Sequence, residues 1–195
     1  MKERLSRLIS NILNPFLVSF IVMLLLAFKD AASTIDAIKW ALISVILSVL
    51  PVFVVVIYMV RCKKLNGIFI NPREQRNGIY LLASALGAIS CGVLWYFRAP
   101  KLLAVAFTAG LVAIVIFMVI NYFWKISLHT AFVAAAVAVL IIVYGVAAAW
   151  TFILLPPVAW SRMELKQHSA TQVITGAVLG AAIVVGIFRG FGVVG

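Results

Sequence analysis

The sequence predicts an all-α integral membrane protein, and three observations lead to this prediction. Hydrophobic residues make up 66% of the 195 residues, and charged residues make up only 11%, whereas a soluble domain averages about a quarter charged residues. The mean hydropathy is +1.21. Long apolar runs recur along the whole chain, and each is long enough to cross the hydrocarbon layer as a helix. We therefore expect one helical membrane bundle.

The apolar runs give the predicted order of the helices. They cover about 11–28, 37–60, 79–97, 101–123, 129–160 and 170–191. The first run follows a basic start that is typical of signal peptides, but it is long for a cleaved segment, so we interpret it as a retained helix. In the last run, Gly176 and Gly180 form a G-x-x-x-G pattern, which predicts close packing against another helix.

The run 129–160 decides the predicted number of spans. Its 32 residues would make a helix about 48 Å long, which exceeds a hydrocarbon layer of about 30 Å unless the helix is strongly tilted. Gly145 permits the backbone angles of a turn, so two short helices, about 129–144 and 146–160, are expected, with Pro156-Pro157 kinking the second near its end. The prediction is about seven spans, or six if this run is one helix.

The net charge of +11 is expected to orient the chain in the cell membrane. With seven spans and a cytoplasmic N-terminus, 11 of the 16 Lys and Arg residues fall on the inner side, as the positive-inside rule requires. The polar segments 61–78, 125–129 and 161–168 then share the cytoplasmic face. No basic helix or aromatic platform accompanies the charge, so nucleic acid is not a predicted partner.

The polar cluster FWKISLHTAF, 123–132, lies where a helix should begin. Ser127 is placed as its N-cap, His129 falls in its first turn, and Lys125 precedes it. A helix N-terminus presents free N–H groups and a partial positive charge, which favour an anion. A single histidine at the start of a helix is ordinarily structural. This cluster alone therefore does not indicate a functional site, and a second polar cluster on the same face is needed to support one.

The second cluster is SRMELKQHSATQ, 161–172. His168 begins the final span, and Gln172 lies four residues on, so both side chains face the same way on a helix. Gln172 can accept a hydrogen bond from one ring nitrogen of His168, which would fix the tautomer and leave the other nitrogen free to attack. Arginine forks bind phosphate oxygens in pairs. Two histidines with Arg162 on one membrane face therefore indicate a phosphate site.

These residues resemble the type 2 phosphatidic acid phosphatase family, whose motifs are K-x6-R-P, P-S-G-H and S-R-x5-H-x3-D. The third motif matches Ser161-Arg162, five residues, then His168, with Gln172 where the family has Asp. The second matches in part, because ISLH keeps Ser127 and His129 but lacks the Pro and the Gly. The first is not found as such, and NPREQR, 71–76, occupies its place. Candidates for its cationic role are Arg73 and Arg76, followed by Lys63 and Lys64.

The resemblance covers roughly residues 61–185 and implies a catalytic core over 61–195, preceded by two transmembrane helices over 1–60. It implies a metal-independent lipid phosphatase without a cofactor. His168 would be the nucleophile that forms a phosphohistidine, and His129 the general acid. The predicted phosphate-binding residues are Arg162, Ser127, Arg73, Arg76, Lys125 and Ser161.

The glutamine at position 172 affects the expected substrate. An Asp would orient His168 and stabilise its developing positive charge, whereas Gln172 can only orient it. Members of the superfamily that are similar to dolichyl diphosphatases also have a glutamine here, which favours a polyprenyl diphosphate or monophosphate. Two alternatives stay open: a phosphatidate or other glycerolipid phosphatase, and a catalytically inactive protein that binds anionic lipid head groups. The presence of both histidines favours an enzyme, because binding alone needs only the cations.

Overall fold

The computed structural model describes residues 1–65 and 76–193, and over these residues the chain forms helices and no strands. Nine α-helices follow in order: α1 (Lys2–Ile12), α2 (Pro15–Asp30), α3 (Thr34–Ser44), α4 (Leu50–Arg61), α5 (Asn77–Tyr96), α6 (Lys101–Phe123), α7 (Leu128–Tyr144), α8 (Leu155–Glu164) and α9 (Ala170–Gly190). A π-helix, Val45–Val49, joins α3 to α4, and a 3-10 helix, Gly145–Leu154, joins α7 to α8. The predicted all-α class is confirmed.

Six helical stretches in the described part of the chain are long and apolar enough to cross a membrane. They are Lys2–Asp30, Thr34–Arg61, Asn77–Tyr96, Lys101–Phe123, Leu128–Glu164 and Ala170–Gly190. The backbone of a helix satisfies its own hydrogen bonds, which lipid cannot do for it. The chain is therefore an integral membrane helical bundle, as predicted.

The fifth stretch folds back on itself at Gly145, as the length of the run predicted. Helix α7 ends at Tyr144, and Gly145 has a φ of 71°, in the left-handed region that glycine adopts without steric cost. Val158 then packs with Val133 and Val137 in one buried cluster. In a straight helix Val158 would lie about 30 Å from Val137, so the two legs must run antiparallel.

The second leg differs from the predicted helix in two respects. It begins as a 3-10 helix over Gly145–Leu154 and becomes α-helical only at Leu155. The predicted kink at Pro156-Pro157 near the end of this helix is wrong, because both prolines lie in the first turn of α8. Their missing N–H groups are not needed there, and their fixed φ suits a helix start.

Helix α9 packs parallel to α7 through its two glycines, which confirms the predicted packing. A Cβ atom on Gly176 would lie 2.6 Å from the carbonyl oxygen of Ser127, and one on Gly180 would lie 2.3 Å from that of Ala131. The contacts advance in the same direction along both helices, so their N-termini lie at one end. Two parallel helices require a returning leg between them, which residues 145–164 provide. The predicted seven-span topology likewise requires the segment after Gly145 to run antiparallel to α7.

The first stretch contains two helices where one was expected over 11–28. The chain breaks at Leu13-Asn14, because Pro15 cannot continue α1 and Asn14 Oδ1 accepts the Leu17 N–H at 3.0 Å, as an N-cap does. Helix α1 buries Ser6 and Ser10 and packs against α8. Its apolar side chains are exposed at Leu5, Leu8 and Ile12.

The chain divides into two compact units that do not follow chain order. The first comprises Met1–Val22 and Lys125–Gly195, and the second comprises Met23–Trp124. The first unit therefore joins α1 to the hairpin of α7 and α8 and to α9. The division into 1–60 and 61–195 concerns which part is catalytic, and it stays a prediction.

Within the second unit, side chains tie neighbouring helices together. Asp30 Oδ2 accepts the Leu102 N–H at 2.8 Å in the first turn of α6, where a carboxylate is favoured by the helix dipole. The indole N–H of Trp95 donates to Thr108 Oγ1 at 3.1 Å between α5 and α6.

Gly180→Ala is expected to lower the thermal unfolding temperature in detergent, because the new methyl group meets the backbone of Ala131, which cannot yield as a side chain could. Overpacking of this kind costs about 1–3 kcal/mol. Gly186→Ala is the matched control, since nothing lies within 4 Å of a Cβ there. Equal unfolding temperatures for the two variants would contradict the close helix contact.

Candidate functional site

The candidate site lies in the first unit, where α7 and α9 begin side by side. The Ser127 N–H donates to the carbonyl oxygen of Gln172 at 3.3 Å, and Thr130 Oγ1 donates to that of Val173 at 3.0 Å. These bonds join the first turns of the two helices. Because the helices are parallel, both present the positive ends of their dipoles at the same place.

His168 contacts Gln172 but does not begin the last helix as predicted, because α9 starts at Ala170 and Ser169 is its N-cap, so His168 lies just before the helix. The Oε1 atom of Gln172 lies 3.1 Å from His168 Nδ1 and also accepts the Ser169 N–H at 3.3 Å. The backbone N–H can only donate, so it fixes the amide with its oxygen inward. The Nδ1 atom of His168 is then the donor, and Nε2 carries the lone pair. The predicted contact between His168 and Gln172 is confirmed.

Gln172 has a structural use as well. Its backbone N–H donates to Ser169 Oγ at 3.3 Å, so Ser169 and Gln172 form a capping box at the start of α9. A capping box satisfies two N–H groups that have no partner inside the helix. One glutamine oxygen thus serves both the helix end and the histidine.

The end of α8 explains the five residues between Arg162 and His168. The Lys166 N–H donates to Met163 O at 2.9 Å and the Gln167 N–H to Arg162 O at 3.1 Å, with a φ of 53° at Lys166. This is a Schellman motif, in which a left-handed residue reverses the chain. The His168 N–H then also donates to Arg162 O, at 3.3 Å. The intervening residues end the helix and return the chain to Arg162.

The guanidinium of Arg162 is buried and held at both terminal nitrogens. Its Nη1 donates to Ser10 Oγ at 2.6 Å, and its Nη2 donates to Gln167 Oε1. The residue is only 2% exposed, and a buried charge is costly unless it is hydrogen-bonded. These bonds fix the plane of the guanidinium in addition to compensating its burial.

Ser127 occupies the predicted N-cap position of α7, but its side chain makes no cap hydrogen bond. Its Oγ is buried and has no hydrogen-bond partner among residues 1–65 and 76–193. A buried hydroxyl without a partner costs about 1–3 kcal/mol. The predicted capping role is therefore wrong for the side chain, which is available to a ligand at the first turn of α7.

The other predicted residues of this unit differ in their surroundings. His129 is buried in the first turn of α7, next to Thr130, which bonds to α9. Lys125 is half-buried in the non-helical segment before α7. Ser161 Oγ donates to Val158 O at 2.8 Å within α8, which accounts for its burial without a ligand.

The residues predicted for the first motif lie elsewhere in the chain. Arg73 lies outside the described residues. Arg76 belongs to the second unit, just before α5, where burial lowers its pKa, although an arginine stays protonated. Lys63 and Lys64 are exposed at the end of α4 in the same unit. Their part in a phosphate site stays a prediction.

Two residues at the site escaped sequence reasoning, namely Ser10 and Gln167. Ser10 was missed because no local signal links it to Arg162, although the spacing of Ser6 and Ser10 places both on one face of a helix. Gln167 falls among the variable positions of the third motif. Both act on Arg162, one from α1 and the other from the loop after α8.

Lys166→Val is expected to lower the unfolding temperature and to perturb the NMR signals of His168, because a β-branched residue resists a positive φ. The left-handed conformation costs a non-glycine residue about 1–2 kcal/mol. Lys166→Asn is the matched control, since it removes the same charge but tolerates this conformation. If both variants behaved alike, the charge of Lys166 and not its backbone would matter.

Within residues 1–65 and 76–193, no three His, Cys, Asp or Glu side chains come together as a metal site. Comparisons with protein-family models, with curated proteins and with solved structures find no match to this chain. The resemblance to the phosphatase family therefore depends on its motif residues, and their arrangement in the first unit is the basis for a functional proposal.

Proposed function

We propose that this protein is a metal-independent membrane lipid phosphatase that hydrolyses a polyprenyl diphosphate or monophosphate through a phosphohistidine. The observation that carries the proposal is the 3.1 Å contact between Gln172 Oε1 and His168 Nδ1. It leaves the lone pair of a neutral imidazole on Nε2, which is the form that attacks phosphorus.

The proposed reaction has two steps. His168 Nε2 attacks phosphorus, the bond from phosphorus to the leaving oxygen breaks, and protonated His129 gives its proton to that oxygen. A water molecule then attacks the phosphohistidine, His129 takes a proton from this water, and the bond between phosphorus and Nε2 breaks. Phosphate leaves, and both histidines return to their initial protonation states.

The charge of the transferring group would be stabilised by fixed donors. Arg162 supplies a buried guanidinium, Ser127 a hydroxyl without a partner among the described residues, and the adjoining starts of α7 and α9 supply helix dipoles. Donors held in place before the reaction stabilise developing charge without reorganising. Lys125 and Ser161 are the further proposed phosphate ligands of this unit.

A second candidate is a protein of the same fold that binds anionic lipid head groups without catalysis. It is favoured by the capping box, because that structural role of Gln172 would preserve its contact with His168 even in an inactive protein. The two candidates differ in whether covalent chemistry occurs at His168. Phosphatidate is the alternative lipid for the enzyme.

The purified wild-type protein is expected to release phosphate from farnesyl or a longer polyprenyl diphosphate in detergent with EDTA, faster than from phosphatidate. His168→Ala should abolish release, and an acid-labile, alkali-stable phosphoryl label should appear on wild-type protein only. Thr171→Ala, an exposed position of the same helix turn, serves as the control. A folded wild-type protein that binds these lipids but releases no phosphate would leave the head-group binder.

We also propose that the N-terminus and the site face the cytoplasm, on the basis of the distribution of basic residues. Cys62 is exposed at the end of α4, whereas Cys91 is buried. In intact cells, an impermeant maleimide added outside should not label a Cys91→Ser protein at Cys62, and detergent permeabilisation should expose this thiol. Labelling of the intact cells would reverse the proposed orientation.

A further inference from the structure

We infer that Ser10 of α1 is a positioning residue, which holds the Arg162 guanidinium in the orientation that binds a phosphoryl group. The inference rests on the proposed function, since it assigns Arg162 to the phosphate site. It gives a role to the N-terminal helix, which no motif residue occupies. Ser10 itself need not touch the substrate.

The contact between Ser10 and Arg162 joins two segments that are far apart in the sequence but lie in the same compact unit. The Nη1–Oγ distance is 2.6 Å across 152 residues of sequence, and both residues are 2% exposed. A hydrogen bond to a charged group is stronger than one between neutral groups. Helix α1 packs against α8, which carries Arg162, so the bond spans the interface of these two helices.

Ser10 differs from Ser6, the other buried serine of α1. Ser6 lies one turn earlier and is 0% exposed, but its Oγ donates to the carbonyl oxygen of Glu3 at 2.9 Å within its own helix. Both serines lie on the buried side of α1. Only Ser10 bonds to the arginine, so a role in positioning is specific to this serine.

Two anchors are needed to fix a guanidinium plane. Gln167 holds Nη2 from the loop that follows α8, and Ser10 holds Nη1 from a different helix. Loss of the Ser10 bond would remove the anchor that α1 supplies at Nη1. Paired binding of phosphate oxygens depends on the direction of the N–H groups, and small errors in the placement of a catalytic group are costly.

The amphipathic character of α1 favours a position in which Ser10 stays in contact with α8. Ser6 and Ser10 are buried and Ser10 contacts α8, while Leu5, Leu8 and Ile12 are exposed. In a protein that spans a membrane, exposed apolar side chains on such a helix favour contact with the interfacial region of the bilayer. Helix α1 is thereby held between protein and lipid, with Ser10 on its protein side.

The test compares Ser10→Ala with Ser6→Ala, a matched change on the same helix face. The orientation of Arg162 is read from its ¹⁵N guanidinium NMR signals, assigned with Arg162→Lys. Wild-type and Ser6→Ala proteins should show separate Nη signals, and Ser10→Ala should show averaged ones. Affinity for inorganic phosphate should fall about tenfold in Ser10→Ala alone, the equivalent of one lost hydrogen bond to a charge.

The outcomes separate this inference from the proposed function. Averaged Nη signals in the wild-type protein, unchanged signals in Ser10→Ala, or phosphate affinities equal to those of Ser6→Ala would each overturn the positioning role. Wild-type protein that does not bind phosphate would overturn it as well. A third outcome separates the two proposals. If Ser10→Ala alone weakens phosphate binding while the wild-type protein releases no phosphate from lipid, the positioning role is supported and the proposed phosphatase activity is refuted.

Discussion

The close approach of α9 to α7 is the constraint on which the rest of the first unit depends. Gly176 and Gly180 let the helices meet at distances that exclude a Cβ atom. Because these helices are parallel, the chain must return between them, and this return requires the reversal at Gly145 and the leg that ends as α8. In lipid, where hydrophobic burial does not drive helices together, such close packing contributes much of the association.

The site is built largely from the ways in which helices begin and end. A Schellman motif brings His168 back to Arg162, and a capping box places Gln172 Oε1 beside the ring of His168. These motifs satisfy backbone groups that the membrane interior could not. Local geometry therefore accounts for the spacing S-R-x5-H, independently of any chemistry at the site. The polar residues of this hydrophobic chain are concentrated at helix termini, where backbone N–H and C=O groups need hydrogen-bond partners.

Features governed by length and local spacing could be predicted from the sequence. The break at Gly145 followed from the length of the apolar run. The contact of His168 with Gln172 was predicted from a spacing of four residues on one helix, but His168 lies before α9, and the capping box places the Gln172 oxygen beside it. Features set by distant contacts could not: nothing near Ser10 indicates Arg162, and nothing in 145–154 distinguishes a 3-10 from an α-helix. The break before Pro15 had a local signal, but a continuous apolar run obscured it.

Gln172 defines how charge is distributed in the proposed site. A carboxylate there would add a negative charge beside His168, whereas the amide of Gln172 is uncharged. The amide could not offset the positive charge that would arise on His168 in the proposed phosphohistidine. In the proposed reaction, compensation would come from the phosphoryl oxygens, held by Arg162, Ser127 and the two helix N-termini. The proposed phosphohistidine would be the same whether a diphosphate or a monophosphate supplied its phosphoryl group, so this compensation would serve either proposed substrate.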